Sequence, residues 1–489
     1  MKHKAFYERW QPVIGLEIHV QLNTRAKLFA RSRNRFGDEP NTNIDVIDTG
    51  QPGALPVLNK EAVRLAVLFG CATGAKIAPF SLFDRKSYFY PDSPRNFQIT
   101  QFEYPVIRGG TVTADVEGKS KTFAIHHAHL EDDAGMLKHF SQFAGVDYNR
   151  AGVPLLEIVS EPCMFSPKEA SSYAMTIKAV MEYLAASDCN MEEGSLRIDT
   201  NISLRPHGET ALRNKVEIKN MNSFTHMEAA ITAEMHRQAH AYEERPHDDP
   251  RLVVPSQTVR FDPGTGEIAT MRSKEEAKDY RYFPEPDLPP LVLSEEYVES
   301  IRKTVPELPH ERYERYVKEL GLSEYNASVL TNDKGLSDYF EEGLEGCENP
   351  RALCNWVSVE FVGRLKEKGI SLAESQIVPE QITFLVNAIE NKSITGRMAK
   401  EIADIMVETE GKDPARIIEE NPDFRAVHDT SAIEPLVDEV VGAHPESVAS
   451  YKAGKEKALN FLVGQVMKLS EGKASPEVVK ELLLRKISR

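Results

Sequence analysis

The stretch from Gly15 to Leu22, GLEIHVQL, alternates apolar and polar residues and determines how the first part of the chain folds. Side chains on a β-strand repeat every two residues, so Glu17, His19 and Gln21 share one face of a strand. The other face is apolar and is expected to be buried. The stretch therefore predicts a strand that presents an acid, an imidazole and an amide side by side.

A second segment, HLEDDAG at residues 129–135, has three successive carboxylates next to a histidine. Such carboxylates repel one another unless solvent or a cation compensates their charge. If the two segments meet in space, they form a site for a hard metal ion. The alternative is that Glu17 and His19 lie on the solvent face of an edge strand and that the acids form a solvated turn. The residues alone leave both interpretations open.

The composition limits the class of protein. A chain of 489 residues and 54.9 kDa is expected to form two to four domains. There is neither an apolar run of about 18 residues nor a signal peptide, which predicts a cytoplasmic protein without a membrane segment. The five cysteines include no CxxC pair, which argues against a disulfide framework and a thiolate zinc site.

The charge is distributed unevenly along the chain. The net charge of −16 disfavours indiscriminate nucleic-acid binding, yet residues 451–489 carry nine lysines and arginines against four acids. A basic tail on an acidic body can dock one polyanion at a chosen place. The alternative is a helical pair with a lysine-rich solvent face. The lysines concerned include Lys452, Lys455, Lys457 and Lys468.

The first 290 or so residues are predicted to mix strands and helices. Ser166 as cap, Pro167 in the first turn and Glu169 as capping-box partner predict a helix that ends near Ala186. The predicted strands are Val13–Leu22, Phe97–Ile107, Thr111–Val116, Lys121–Leu130, Leu155–Val159, Ser195–Leu204 and Lys215–Lys219.

A proline-rich break, PEPDLPP at residues 284–290, is followed by sequence with a helical period. It predicts a domain boundary and an α+β protein. We expect a mixed α/β domain over residues 1–292, an all-α helical domain over 293–406 and a small helical tail domain over 407–489. The apolar stripe between Lys457 and Leu469 predicts one tail helix, and Ser475-Pro476 predicts the start of another.

Several segments of the first domain carry more polar groups than strands and turns need. The segment DRKSYFYPD at residues 84–92 combines two cations with two tyrosines, which suits phosphates and a base. Glu157 stands alone in an apolar strand and must find a partner or a metal ion. A surface salt-bridge ladder is the alternative for any one segment. No phosphate loop, GxGxxG fingerprint, HExxH helix or GxSxG elbow occurs.

Taken in order, the segments resemble a known family. GLEIHVQL, DRKSYFYPD, HLEDDAG, DYNRAGVPLLEIVSEP, MEEGSLRIDTNISLRP, EIKNMNSF and DYRYFPEPDLPPL are similar to the B subunits of bacterial GatCAB-type aminoacyl-tRNA amidotransferases. The resemblance implies a cradle-like catalytic domain that uses ATP and Mg²⁺ to phosphorylate the side-chain carboxylate of a mischarged glutamate or aspartate on tRNA. It also implies a heterotrimer with an amidase (A) subunit, which supplies ammonia from glutamine, and a small C subunit.

The resemblance also implies roles for individual residues. The metal-binding residues would be Glu17, His19, Glu131, Asp132 and Glu157. The catalytic residues would be Glu17, His19, Lys86 and Asp199, and those that bind ATP or substrate would be Asp84, Arg85, Tyr88, Arg150, Arg197, Asn201, Lys219 and Arg272. The tail lysines at 452, 455, 457 and 468 would contact tRNA.

The chain departs from the family pattern at four positions. Asp132 stands where the family commonly has Glu, and its shorter arm changes the reach toward a metal ion. Met136, Cys163 and Ile198 replace an expected Lys, Asp and Cys. None of these changes removes a proposed ligand, but Met136 argues against a basic contact to phosphate there.

Two other classes of function remain as hypotheses. A catalytically idle RNA-binding scaffold would use the basic tail, although the acid-rich first domain argues against it. A metal-dependent hydrolase would use Glu17, His19 and Glu157 to hold zinc and activate water. Replacing Glu17 and His19 by alanine distinguishes the scaffold from the amidotransferase, because a scaffold would keep its amidation unchanged. Metal analysis distinguishes the hydrolase, because it would hold zinc tightly.

Overall fold

The computed structural model describes residues 2–221, 223–273, 280–424, 430–470 and 472–487. The chain forms two compact units, Met1–Arg312 and Tyr313–Arg489. The first unit contains all the described strands, and the described elements of the second are helical. This arrangement confirms the predicted α+β class. The predicted boundaries at 292 and 406 remain predictions.

The first unit is built on one large sheet. The strands of the unit are β1 (Trp10–Gln21), β2 (Lys76–Ile77), β3 (Phe80–Ser81), β4 (Asp84–Ser87), β5 (Phe97–Thr100), β6 (Ile107–Arg108), β7 (Thr111–Val116), β8 (Lys119–Asp132), β9 (Met136–His139), β10 (Ala144–Asp147), β11 (Pro154–Ser160), β12 (Leu196–Pro206), β13 (Val216–Met221), β14 (Gln257–Asp262), β15 (Glu267–Ser273), β16 (Phe283–Pro284) and β17 (Leu291–Val292). The sheet has ten strands in the order β15-β14-β13-β12-β1-β11-β8-β6-β2, with β7 paired to β8. Every pairing in it is antiparallel except that of β13 with β14.

The central strand β1 has the two faces that its sequence predicts. Leu16, Ile18 and Val20 are buried in the main core, while Glu17 and His19 lie on the opposite, half-buried face. Burying each of the three apolar side chains stabilises the fold by about 1.5–3 kcal/mol. The alternation therefore fixes which face of the sheet carries the polar groups.

Helices cover the apolar face of this sheet. The helices that lie wholly within the first unit are α1 (Lys2–Arg9), α2 (Lys60–Ala72), α3 (Pro167–Tyr183), α4 (Phe224–Glu244), α5 (Pro250–Val253) and α6 (Glu295–Arg302). α3 packs on β1 and β7, and α4 packs on β12. The predicted cap of α3 is confirmed, since Glu169 N donates to Ser166 Oγ at 3.1 Å and Phe165 N donates to the Glu169 carboxylate at 2.8 Å.

One predicted strand is corrected by the structure. Residues 97–107 form two short strands, β5 and β6, joined by a loop. Pro105 cannot donate to a strand ladder, and the Gln101 side-chain oxygen accepts from Val106 N at 3.3 Å and Leu130 N at 3.1 Å. The loop is thus held by side-chain contacts that strand periodicity does not reveal.

The second unit contains two separate apolar cores. One includes Phe340, Trp356 and Phe361, and the other includes Leu462 and Val466. The helices, of which α7 spans the division between the units, are α7 (Pro309–Lys318), α8 (Glu324–Thr331), α9 (Lys334–Gly343), α10 (Pro350–Asn355), a π-helix (Trp356–Phe361), α11 (Val362–Lys366), α12 (Pro379–Glu390), α13 (Gly396–Glu408), α14 (Pro414–Glu420), a 3₁₀-helix (Pro422–Phe424), α15 (Thr430–Ala443), α16 (Pro445–Lys452), α17 (Glu456–Leu469) and α18 (Pro476–Ile487).

The two predicted tail helices are confirmed as α17 and α18. Leu459, Leu462 and Val466 of the predicted stripe are buried in the second core, whereas Leu469, at the end of α17, is exposed. The earlier residues of an apolar stripe can thus pack in a core while its last residue, at the end of the helix, is exposed to solvent.

Candidate metal centre and cavity

Three neighbouring strands bring together the residues at the centre of the polar face. In the order β1, β11 and β8, His19 lies opposite Glu157, and Glu157 lies opposite His129. Glu131 follows two residues after His129 on β8 and therefore shares its face. Sheet register thus places two carboxylates beside the imidazole of His19.

His19, Glu131 and Glu157 form a compact donor set. His19 Nε2 lies 3.3 Å from Glu157 Oε2 and 3.6 Å from Glu131 Oε1. Among the described residues, these three are the group whose ligand atoms all lie within 4.8 Å of one another. One imidazole and two carboxylates are donors that divalent cations accept in proteins. The residues present therefore fit a metal ion.

The charges of this cluster are strongly coupled. Burial lowers the pKa of His19, but Glu157 and Glu131 outweigh that effect and raise the pKa to about 9. Burial raises the pKa of Glu157, but His129 and His19 hold it well below its ordinary value. The cluster thus favours ionised carboxylates and a positive partner, and a divalent cation would compete with the proton on His19.

A cavity of about 740 Å³ opens beside this cluster. His19 and Glu131 form part of its wall, and cationic side chains line it from several strands and loops. The predicted site residues in the wall are His19, Lys86, Tyr88, Glu131, Asp132, Arg150, Arg197, Asp199 and Lys219. An acidic centre surrounded by cations is suited to a phosphorylated ligand that arrives with a metal ion.

The structure does not bring Glu17 into the donor set. Its Oε1 accepts from Asn201 Nδ2 at 2.7 Å and lies 3.9 Å from Lys215 Nζ. Burial and then Glu157 raise the pKa of Glu17. Glu17 lies two residues before His19 on β1, and Asn201 lies opposite Gly15 on β12. Both share the face of His19 but stand outside the wall of the cavity.

Asp132 lies in the cavity wall but outside the donor set. Because side chains alternate along β8, it points away from the face of Glu131. Ile99 N donates to Asp132 Oδ1 at 2.8 Å, and the Arg95 guanidinium forms an ion pair with Asp132. Burial raises its pKa to about 6 even with Arg95 beside it. The geometry makes Asp132 an anchor for β5 and Arg95.

Lys86 is the cation most closely coupled to the donor set. Its Nζ lies 5.0 Å from the centre of the Tyr280 ring. Burial lowers the pKa of Lys86, but Glu131 and other groups outweigh that effect and raise it. Lys86 therefore stays charged within the cavity, and Tyr88 lines the same wall.

Asp84 and Arg85 make structural contacts outside the main cavity. Phe102 N donates to the Asp84 carboxylate at 3.1 Å. The Arg85 guanidinium donates to both oxygens of the buried Glu285, at 2.7 and 2.9 Å, and to Asp287 at 3.0 Å. These contacts tie β4 to the loop that precedes β17.

Asp133 organises a second group of predicted residues. Its Oδ2 lies 2.8 Å from Arg197 Nη2 and 3.7 Å from Arg150 Nε, and it accepts from Gln21 Nε2 at 3.1 Å. Arg150 also donates to the carbonyls of Ala134 and Gly135. The two arginines are thereby held at the cavity wall.

Asp199 and Lys219 meet on the neighbouring strands β12 and β13. Lys219 Nζ lies 2.9 Å from Asp199 Oδ2 and 2.9 Å from Glu217 Oε1. Burial lowers the pKa of Lys219, but the two carboxylates outweigh that effect and raise it. Arg272 belongs to β15, but its side chain lies outside the described part of the chain.

Three groups at this site were not predicted from the sequence. Asp133 and His129 stand in the quoted segment HLEDDAG, where strand alternation could have assigned each a face. Arg95 follows the segment DRKSYFYPD, and no local pattern links it to Asp132, which is distant in the chain. Only the fold brings that pair together.

The four predicted tRNA-binding lysines lie in the second unit and are exposed. Lys452 ends α16, Lys455 precedes α17, and Lys457 and Lys468 lie in its first and last turns. Among the described residues, no helix has both the length and the apolar character that crossing a bilayer requires.

These features define a class of protein. An imidazole and two carboxylates stand beside a cation-lined cavity on a largely antiparallel sheet, and the described elements of the unit that follows are helical. This arrangement suits an enzyme that acts on an anionic substrate.

Comparison with known proteins identifies the family. Residues 12–299 match the GatB/GatE catalytic domain, and residues 338–487 match the GatB domain. The B subunit of the aspartyl/glutamyl-tRNA(Asn/Gln) amidotransferase of Protochlamydia amoebophila is 58% identical over 491 residues, which cover 100% of this chain and 99% of that protein. The B subunit of the same amidotransferase from Chlamydia pneumoniae is 57% identical and covers 99% of each chain. The chain belongs to this family of amidotransferase B subunits, which confirms the resemblance in its motifs.

Proposed function

We propose that this protein activates the side-chain carboxylate of glutamate or aspartate on a mischarged tRNA by phosphorylation with ATP, so that ammonia can then form the amide. The enzyme is a ligase that forms carbon–nitrogen bonds with glutamine as amido donor. The observation that carries the proposal is the donor set of His19, Glu131 and Glu157, of which His19 and Glu131 line a cation-rich cavity.

The chemistry explains why such a cavity is needed. A carboxylate is a poor electrophile because its leaving group would be oxide. In an acyl phosphate, neutral ammonia can attack the carbonyl carbon and phosphate leaves. Phosphoryl transfer depends on positioning and charge neutralisation more than on covalent help from the protein. A cavity that holds cations in fixed places provides both.

We infer that His19, Glu131 and Glu157 hold Mg²⁺. Carboxylate oxygens suit this ion, and buried acids next to one another need a cation. A bound Mg²⁺ would neutralise negative charge on the phosphates of ATP. Glu17 adds a negative charge two residues before His19 on the same face of β1 and supports cation binding at longer range.

The cationic side chains of the cavity wall have different proposed roles. Lys86 faces the donor set and would neutralise the transferred phosphoryl group. Arg150 and Arg197, which Asp133 holds in place, would bind the more distant phosphates or the substrate carboxylate. Asp199 orients Lys219 toward the same cavity. Tyr88 offers a ring for a base.

Membership of a family of B subunits implies an assembly with other subunits. We propose a heterotrimer in the cytoplasm, with an amidase subunit that hydrolyses glutamine to supply ammonia and a small C subunit. We propose that residues 1–292 form the catalytic domain, that 293–406 form a helical domain, and that the tail over 407–489 binds tRNA through Lys452, Lys455, Lys457 and Lys468.

The experiment is an assay of the purified complex with ammonium chloride in place of glutamine. The proposal expects release of ADP and phosphate that depends on the mischarged tRNA, and it expects loss of both products in Glu157→Gln. A scaffold would leave amidation unchanged in that variant. A zinc hydrolase would contain tightly bound zinc and would consume no ATP.

A further inference from the structure

A second imidazole stands on the far side of the same two carboxylates. His129 Nε2 lies 3.4 Å from Glu157 Oε2 and 3.7 Å from Glu131 Oε2. His19 approaches Glu157 and Glu131 from the other side, at 3.3 and 3.6 Å. The carboxylates are therefore enclosed between two histidines, of which His129 is the more buried.

The other ring nitrogen of His129 has no partner. His129 is 7% exposed, and its Nδ1 is buried with no hydrogen-bond partner among the described residues. An N–H group at that position would be an orphaned buried donor, which folded proteins rarely tolerate. In the neutral ring, the arrangement therefore favours the tautomer with the proton on Nε2, which faces the Glu157 carboxylate at 3.4 Å.

The ring is held in this orientation by its neighbour on β8. The rings of His127 and His129 stack with centroids 5.3 Å apart and planes inclined by 16°. Glu157 faces His129 across the β8–β11 ladder. Packing and register thus fix the donor before any ligand binds.

We propose that His129 is a positioning residue, whose protonated Nε2 faces Glu157 at 3.4 Å, with Glu131 at 3.7 Å, and so fixes the carboxylate oxygens for the metal ion. Ligation of a metal through Nε2 would move the proton to Nδ1, where the described residues offer no acceptor. Metal-binding histidines nearly always have such an acceptor. His19, whose side chain is 20% exposed and lines the cavity, is then the imidazole that binds the metal, and the inference rests on the metal site of the proposed function.

The test uses Mn²⁺ as the probe and the purified complex as the sample. His129→Gln keeps an N–H near the position of Nε2. His129→Asn has a side chain one methylene shorter, so its amide cannot reach the position of Nε2. We expect His129→Asn to weaken Mn²⁺ binding about 10- to 100-fold and His129→Gln to stay within about threefold of wild type. His126→Gln, on an exposed ring of the same strand, is the matched control and should bind Mn²⁺ normally.

Pulsed EPR of the bound Mn²⁺ separates positioning from ligation. We expect nitrogen couplings from one imidazole in wild type, unchanged in His129→Gln and lost in His19→Gln. Loss of a nitrogen coupling in His129→Gln would overturn the proposal, as would wild-type Mn²⁺ affinity in His129→Asn. If wild type itself binds no Mn²⁺, the metal site of the proposed function fails first, and the role of His129 fails with it.

Discussion

Glu157 Oε2 lies 3.3 Å from His19 Nε2, and the two residues face each other across adjacent antiparallel strands. The contact joins an acid from an otherwise apolar strand to the imidazole of the central strand. Burying either group without a partner would cost free energy, because a charged or polar group loses its hydration. Together with Glu131 they form the donor set. The proposed chemistry of the cavity depends on this pairing.

Replacing Glu157 should remove the chemistry without removing the fold. Glu157→Gln keeps the size of the side chain but removes a negative charge and one metal-binding oxygen. We expect the rate of ammonium-dependent amidation to fall by about 100-fold or more. The control is Glu103→Gln, because Glu103 is exposed and lies outside the cavity wall. An equal fall in rate in both variants would contradict the assignment.

Removal of the metal ion should have the same effect as removal of its ligand. Exhaustive chelation is expected to abolish ATP-dependent amidation, and added Mg²⁺ should restore it, because the donor set is rich in carboxylate. Metal analysis of the purified complex should find no stoichiometric zinc. Full activity after chelation, or zinc that survives dialysis, would count against the account.

Lys27 tests the packing behind the cavity. It is fully buried, and its Nζ lies 3.3 Å from Asp48 Oδ2 and 2.6 Å from the Asn43 carbonyl. Lys27→Met leaves the buried Asp48 without its cation and should lower the free energy of unfolding by about 3–5 kcal/mol. Urea unfolding measures the change. Lys138→Met, at an exposed position, should shift it by less than about 0.5 kcal/mol.

His127 should make the first unit sensitive to acid. Burial, together with His129 and His126, lowers the pKa of His127 from 6.5 to about 4, Arg108 adds to this, and Glu157 opposes it. The unfolded chain then binds more protons between these two pH values, so stability falls as pH drops from 6.5 toward 4. The Tm of His127→Gln should fall less than that of wild type over this range. An identical decline in both proteins would refute the prediction.

The exposed tail lysines should control tRNA affinity through charge. Replacing Lys452, Lys455, Lys457 and Lys468 by alanine is expected to raise the Kd for tRNA about tenfold or more at low salt. The salt slope should flatten by roughly 0.7–0.9 for each phosphate that a lysine no longer neutralises. Arginine at the same four positions should preserve binding. A Kd unaffected by the alanines would place the tRNA elsewhere.

The sequence predicts the centre of the site better than its edges. Alternation along β1 is local information, so the face shared by Glu17 and His19 could be predicted and is observed. Strand order is not local, and only pairing with β11 and β8 shows that Glu157 and Glu131, not Glu17, meet the imidazole.

Asp132 shows what alternation could have added. Two consecutive residues of one strand point to opposite faces, so alternation separates Asp132 from the face that carries Glu131. The contact of Asp132 with Arg95 depends on the packing of β5 beside β8, which no sequence period encodes. The loop at 101–106 could not be predicted for the same reason. The Gln101 side chain holds it through contacts with Ser81 and Leu130, which are distant in the sequence.

The most direct test follows oxygen from the substrate to the product phosphate. Mischarged tRNA that carries oxygen-18 in the side-chain carboxylate is given to the complex with ATP, Mg²⁺ and ammonium. We predict that the released phosphate carries the label in wild type and that Glu157→Gln releases almost no labelled phosphate. Amide formed without labelled phosphate, or labelled phosphate formed at the wild-type rate by Glu157→Gln, would contradict it.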